Sequence, residues 1–299
     1  MRRGVVMGVA LVVVALVGWV IWSPPDFVRT LYADDSPADV HGDPVPAIEQ
    51  QPAVRLAVIG DSGTGGNGQD AVAGELADQH RAMPFAGLVI LGDLIYPDGD
   101  AAMVEDRILN PYEPLLGDAV ELVPVLGNHD YESNEELEIL NALGREDAWY
   151  VEQVGQVRII VLDSMQVEAE AQTEWLADVL DDPHGGWTLV AMHHPPYSAG
   201  YHGSALDVRE AWSPLFAAAD VPLALAGHDH DYQRSEPQDG VTYVVSGGGA
   251  KLRKTGTEGF TEVSTSTLHL LDLLVYDDRL VVRAIDASGR LIDHFTLGR

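Results

Sequence analysis

Residues 86–96 read AGLVILGDLIY. The apolar run from Ala86 to Leu91 is too short for a buried helix and has the length of a strand covered on both faces, which reads as continuous rather than alternating hydrophobicity. It stops abruptly in Gly92-Asp93. The same pattern recurs along the chain: VRLAVI at 54–59 runs into Gly60-Asp61-Ser62-Gly63, and 120–126 runs into Gly127-Asn128-His129-Asp130. WTLVAM at 187–192 meets His193-His194-Pro195-Pro196-Tyr197, and 222–226 meets Gly227-His228-Asp229-His230. A further run, VRIIVL, occupies 157–162. Helix-like stretches at 68–82, 134–143, 170–180 and 205–219 alternate with most of these runs. Such alternation predicts a layered α/β architecture around a mostly buried sheet. Strand-like segments at 241–246, 267–275, 279–285 and 291–297 predict a β-rich close to the same domain.

Composition narrows the chemistry. The 299 residues include 17 basic and 47 acidic side chains, a formal net charge of -30, and no Cys. Thiol catalysis, disulfide scaffolds and Cys-ligated zinc are excluded. A broad nucleic-acid footprint needs Lys and Arg against phosphate, so nucleic acid is not an expected partner. The 46% hydrophobic content supplies an ample core, which rules out wholesale disorder.

The N-terminus differs from the remainder. After Met1-Arg2-Arg3, Gly4 to Trp22 carries no charge and would span about 28 Å as a helix, close to the hydrocarbon thickness of a bilayer. No small-x-small cleavage site follows it, so residues 1–23 are read as a transmembrane anchor, with a cleaved signal as the alternative. Arg2 and Arg3 orient the short N-terminus to the cytoplasm, which predicts a membrane-anchored protein whose remaining chain is extracytoplasmic, periplasmic or at the cell surface. Secretion is the outcome if the segment is cleaved. Residues 24–53, rich in Pro, Asp and Ala, read as a linker, and 54–299 as the catalytic domain.

Active sites of open α/β sheets form where loops from several strands converge at their carboxyl ends. The spacings Asp61 to Asp93, Asp93 to Asn128 and His193 to His228 each fit one strand–helix–strand step, so the polar clusters can meet in space. Together they offer carboxylates, a phenol, an amide and imidazoles, too many donors for one tetrahedral ion. They suit two metals sharing a carboxylate, as used for in-line attack at phosphorus. Each Gly-Asp pair alone would read as a turn.

The ordered set GDSG, GDLIY, GNHD, HHP and GHDH resembles the calcineurin-like metallophosphoesterase superfamily, and within it the purple acid phosphatases, over roughly 54–250. Position 63 is Gly where many superfamily members carry a His, and Tyr96 stands three residues after Asp93. That exchange is similar to the purple acid phosphatase pattern, in which a tyrosinate binds ferric iron. The resemblance implies the layered αββα fold, β-sheets sandwiched by helices. It implies that Asp61, Tyr96 and His230 hold the first metal, Asp93 bridges, and Asn128, His193 and His228 hold the second. Fe(III) is implied at the Tyr96 position, with Fe(II), Zn(II) or Mn(II) at the other. His129 and His202 resemble positions that bind substrate and protonate the leaving group, a role suited to a pKa near 6.5. Asp130 is read as an orienting partner of the ligands, and His194 as orienting or structural. His80, His184, His269 and His294 are read as surface or packing histidines. Gly247-Gly248-Gly249 lacks the spacing of a nucleotide phosphate loop, which leaves close backbone approach or a plain turn.

The resemblance implies hydrolysis of a small phosphomonoester by metal-bound hydroxide. A phosphodiesterase or nucleotide hydrolase with the same centre is the alternative within enzymes. A membrane-tethered binding module with a vestigial site is the alternative outside them.

Overall fold

The computed structural model describes residues 42–118 and 120–299. The apolar segment read as an anchor, and the linker as far as His41, lie outside the described residues. Among the described residues no helix is long and apolar enough to cross a membrane.

Among the described residues, fourteen strands form two seven-stranded sheets. The first holds β1 (Asp43–Pro44), β2 (Val54–Ile59), β3 (Gly87–Leu91), β4 (Glu121–Val125), β12 (His269–Val275), β13 (Arg279–Asp286) and β14 (Arg290–Gly298). Its order is β1-β14-β13-β12-β2-β3-β4. The second holds β5 (Tyr150–Val154), β6 (Val157–Val161), β7 (Trp187–Ala191), β8 (Leu223–Ala226), β9 (Tyr232–Ser235), β10 (Thr242–Ser246) and β11 (Thr261–Thr265), in the order β11-β9-β10-β8-β7-β6-β5. Strands β2, β3 and β4 run parallel, as do β6, β7, β8 and β10. Their carboxyl ends therefore open on a common edge.

Alternation along each strand builds the layers. Val54, Leu56 and Val58 of β2 join Ile159, Leu189 and Leu225 of the other sheet in one core between the sheets. Ala57 and Ile59 face the opposite way, against Val72 and Leu76 of α1 (Asn67–Ala82). A short helix α2 (Glu113–Leu116) and α3 (Glu136–Ala142) cover the same face. On the far side, Ile160 and Val190 pack on Leu176 of α4 (Glu170–Asp181) and on Trp212 and Phe216 of α5 (Leu206–Ala218). The result is the expected four-layer αββα arrangement. Each apolar strand is buried twice, which is why its sequence shows no period of two.

The described end of the linker lies against the domain. Asp43 and Pro44 pair with Leu291 and Arg290 of β14. Pro46 accepts a hydrogen bond from Arg283 at 2.8 Å, and the Gln50 carbonyl accepts one from the Tyr276 hydroxyl at 2.9 Å.

Candidate metal centre

Every predicted ligand cluster sits at a strand end on the common edge. Asp61 follows β2, Asp93 and Tyr96 follow β3, Asn128 follows β4, His193 follows β7, and His228 and His230 lie between β8 and β9. Asp61, Asp93 and His228 turn the chain with positive φ, at 57°, 51° and 71°. This left-handed backbone is uncommon outside Gly and costs energy, and it aims each side chain back over the strand ends. Gly127 permits a close approach: a Cβ there would lie 2.2 Å from the Asp93 amide nitrogen.

The donors gather around two foci. At the first, the Tyr96 hydroxyl lies 2.5 Å from Asp93 Oδ2, 3.3 Å from Asp61 Oδ1 and 3.2 Å from His230 Nε2. At the second, Asn128 Oδ1 lies 3.1 Å from His193 Nε2 and 3.0 Å from His228 Nδ1, and the two ring nitrogens are 3.3 Å apart. Asp93 reaches both, because its Oδ1 is 3.5 Å from His193 Nε2. One carboxylate thus faces two donor groups, the arrangement a shared ligand requires.

Protons alone do not satisfy this cluster. His193 Nδ1 donates to the Leu91 carbonyl at 2.8 Å, which in the neutral ring leaves the lone pair on Nε2. Burial, and then the neighbouring His193, hold His228 well below its ordinary pKa and therefore neutral. Asn128 Oδ1, His193 Nε2 and His228 Nδ1 then converge with at most one proton among them. At the first focus, burial and the charge of Asp93 push Asp61 up. Burial opposes ionisation of Asp93 as well, but His193 and His129 carry it below the usual carboxylate range. Burial, Asp61 and Asp93 also raise the Tyr96 phenol well above its ordinary value. Crowded with oxygen and nitrogen lone pairs, both foci fit cations, and Asp61, Asp93 and His193 form one candidate ion-binding group by distance.

The orienting residues are equally defined. Asp130 accepts hydrogen bonds from Leu94, Ile95 and Gly127 amides at 3.1, 3.0 and 2.8 Å, joining the β3 and β4 loops. His129 donates its amide to Asp93 Oδ1 at 3.0 Å, and its ring lies 4.5 Å from the Tyr96 ring. The His202 ring lies 4.3 Å from that of His228. His194 points its ring 4.4 Å from His228 and bonds through Nδ1 to Ser164 Oγ at 2.8 Å. Burial and His193 lower His194 to about 3.

Two contributions escape a reading by motif, and a third decides between two readings the sequence leaves open. Asp163 and Ser164 follow β6, where Asp163 takes the Tyr131 hydroxyl at 2.5 Å and Ser164 holds His194. Their signal was the same strand-end position, without a histidine to mark it. Gly247-Gly248-Gly249 is a close approach: a Cβ on Gly247 would lie 2.1 Å from the Asp229 carbonyl and 2.8 Å from Asp61 Oδ2. Lys251 then sets its ammonium 3.2 Å from the centre of the Tyr96 ring.

A layered sandwich whose strand ends carry two foci of oxygen and nitrogen donors sharing one carboxylate defines a metal-dependent phosphoesterase. The chain belongs to the calcineurin-like phosphoesterase family, whose model matches residues 54–232. It is similar to tartrate-resistant acid phosphatase type 5 of Homo sapiens, 26% identical over 244 residues covering 66% of this chain and 73% of that protein. It is also similar to purple acid phosphatase 3 of Arabidopsis thaliana, 24% identical over 285 residues covering 81% and 77%. Among solved structures, a purple acid phosphatase from yellow lupin (Lupinus luteus) seeds aligns with a TM-score of 0.71 at 19% identity, covering 85% of this chain and 55% of that one. A Plasmodium protein described as the anchor in the inner membrane complex aligns with a TM-score of 0.72, also at 19% identity, covering 83% and 89%. At that identity both structures attest the fold alone.

Proposed function

We propose that this phosphoesterase is a phosphomonoesterase of the purple acid phosphatase type, with Fe(III) at the Tyr96 focus and Fe(II), Zn(II) or Mn(II) at the other. The observation that carries the reading is the Tyr96 hydroxyl, brought within 3.3 Å of Asp61, Asp93 and His230. A phenolate is a hard, anionic donor suited to a trivalent ion. Asn128 at the second focus adds an oxygen donor without charge, which suits a divalent one.

Asp61, Tyr96 and His230 would hold the first ion, Asn128, His193 and His228 the second, and Asp93 both. Bound there, the ions would supply Lewis acidity and lower the pKa of coordinated water to about 7. The chain's own part is to hold the donors and to manage protons. The Leu91 carbonyl fixes the His193 tautomer, and Asp130 keeps the β3 and β4 loops in register. His202, beside His228, and His129, beside Tyr96, are the groups that bind the phosphoester and give a proton to the departing oxygen.

The test is spectroscopic and kinetic together. Purified, metal-loaded protein should show a visible tyrosinate-to-iron charge-transfer band, and Tyr96→Phe should abolish the band. A colourless, fully active protein containing only zinc or manganese would reject the iron assignment and leave the phosphoesterase intact. Higher kcat/KM on an aryl phosphodiester than on the monoester would overturn the monoesterase reading.

We also propose that Gly4 to Trp22 anchors the enzyme in a membrane with the catalytic domain on the extracytoplasmic side. Its support is the uncharged length of the segment and the preceding Arg2-Arg3. Carbonate extraction and protease accessibility of membranes from expressing cells test it: release into the soluble fraction would contradict it.

A further inference from the structure

Asp229 stands between His228 and His230 in a bent segment that His228 turns with positive φ, and its carboxylate bonds to the 198–202 loop rather than joining the two foci. It is fully buried at 0% exposure. Its surroundings are polar rather than packed with hydrocarbon. Oδ1 accepts the His202 amide at 2.7 Å, and the Ser198 hydroxyl donates to Oδ2. Ser198 Oγ accepts in turn from the Gly200 amide and from Gln233 Nε2, both at 2.9 Å. Gln233 Oε1 takes the Ala199 amide at 2.7 Å. Amides of 199, 200 and 202 therefore terminate on one buried carboxylate and the two side chains bonded to it or to its partner. Gly200 leaves no room for anything else: a Cβ there would lie 2.5 Å from Asp229 Cγ. At the far end of this loop the His202 ring stacks 4.3 Å from His228, with the Tyr201 ring against it at 4.9 Å and the Arg253 guanidinium 4.6 Å from Tyr201.

We propose that Asp229 is a positioning residue for His202: it latches the 198–203 loop to the strand end that carries His228 and His230. The proposal rests on the assignment of His202 to leaving-group protonation made above. A carboxylate suits the task because it accepts from both an amide and a hydroxyl. An Asn can accept through only one of its two terminal atoms. Because Asp229 is joined by peptide bonds to both histidines, a displacement of either would pass directly to the His202 loop.

The experiment uses the metal-loaded enzyme as Asp229→Asn, Ser198→Ala, His202→Ala and the double variant Asp229→Asn with His202→Ala. With p-nitrophenyl phosphate, Asp229→Asn should lower kcat about tenfold, with KM within about twofold. Metal content should stay at the wild-type value, and amides 199–203 should exchange with solvent faster. The double variant should be no slower than His202→Ala, because a latch has nothing left to position. Ser198→Ala, a milder change, should give a smaller loss of the same kind if Asp229→Asn folds poorly. Multiplicative losses in the double variant, unaltered exchange, or metal lost in step with activity would each overturn the proposal. An unchanged kcat in His202→Ala would instead remove the assignment of His202, and the proposal with it.

Discussion

Asp93 has two oxygens and uses them in different directions, Oδ2 towards Tyr96 and Oδ1 towards His193 and the His129 amide. An Asn at this position keeps the shape but offers one acceptor and no charge. Asp93→Asn should therefore lose at least one ion per chain and nearly all turnover, measured by metal analysis after gel filtration and by phosphomonoester hydrolysis. Retained metal with an unaltered rate would sink the role of Asp93 as a shared ligand. The positions of Asp61, Asp93, Tyr96, Asn128, His193, His228 and His230 were readable because each closes an apolar run, and strand ends converge whatever the intervening sequence. Lys251 was not readable, since its place over the Tyr96 ring depends on the path of the Gly247–Gly249 turn after β10.

Strand β9 shows where patterning fails. Tyr-Gln-Arg-Ser at 232–235 carries one aromatic and three polar residues, yet it pairs with both β10 and β11 and is largely buried. Its polar groups are paired instead of solvated: the Tyr232 hydroxyl and the Arg234 Nε both donate to Asp293 Oδ2, at 2.6 and 2.7 Å, and Gln233 serves the His202 loop. A buried polar strand of this kind is visible only once its partners are in place. Edge strand β5 alternates in exposure and was missed for want of a long apolar run. Strand β12 makes the opposite point, since it was legible throughout but holds an unforeseen pH response at its first residue. His269 Nδ1 donates to the Thr267 carbonyl at 2.8 Å, and the Ser246 hydroxyl donates to Nε2 at 2.9 Å, so the ring is neutral. Burial lowers its pKa to about 4 from 6.5. The unfolded chain binds this proton first as pH falls, so stability is lost between pH 6.5 and 4 and is level below that. The loss is about 3 kcal/mol. Urea midpoints of wild type and His269→Gln, compared at pH 7 and 4.5, should converge on the acid side; an equal gap at both pH values would contradict this.

The first sheet, its covering helix and the linker end are joined at one buried ion cluster. Arg55 of β2 makes a two-pronged bond to Asp272 of β12 at 2.8 and 2.9 Å, and Arg283 of β13 reaches the same carboxylate. Arg55 also donates to the Gln79 and Met83 carbonyls at the end of α1, while Arg283 donates to Pro46. Asp272→Ala leaves two guanidinium groups buried without their counterion, and should lower the unfolding free energy by about 3–5 kcal/mol as read from urea denaturation. A loss under 1 kcal/mol would mean that the carbonyls and water suffice. The catalytic edge lies at the other ends of β2 and β12, so metal content of the folded variant should be unaffected.

The left-handed backbone at Asp61, Asp93 and His228 bears on how this molecule can change over time. Without ions, two buried carboxylates face each other on strained turns, and the amides of His129 and His228 with the Tyr96 hydroxyl offset only part of the cost. Asn tolerates the same φ as Asp and removes a like charge, so metal-free Asp61→Asn should melt at or above the temperature of metal-free wild type. A lower melting temperature would show that the carboxylate is held comfortably. A lineage that no longer needed the reaction would thus drift downhill in free energy by discarding its ligands first, keeping the sandwich and losing the chemistry.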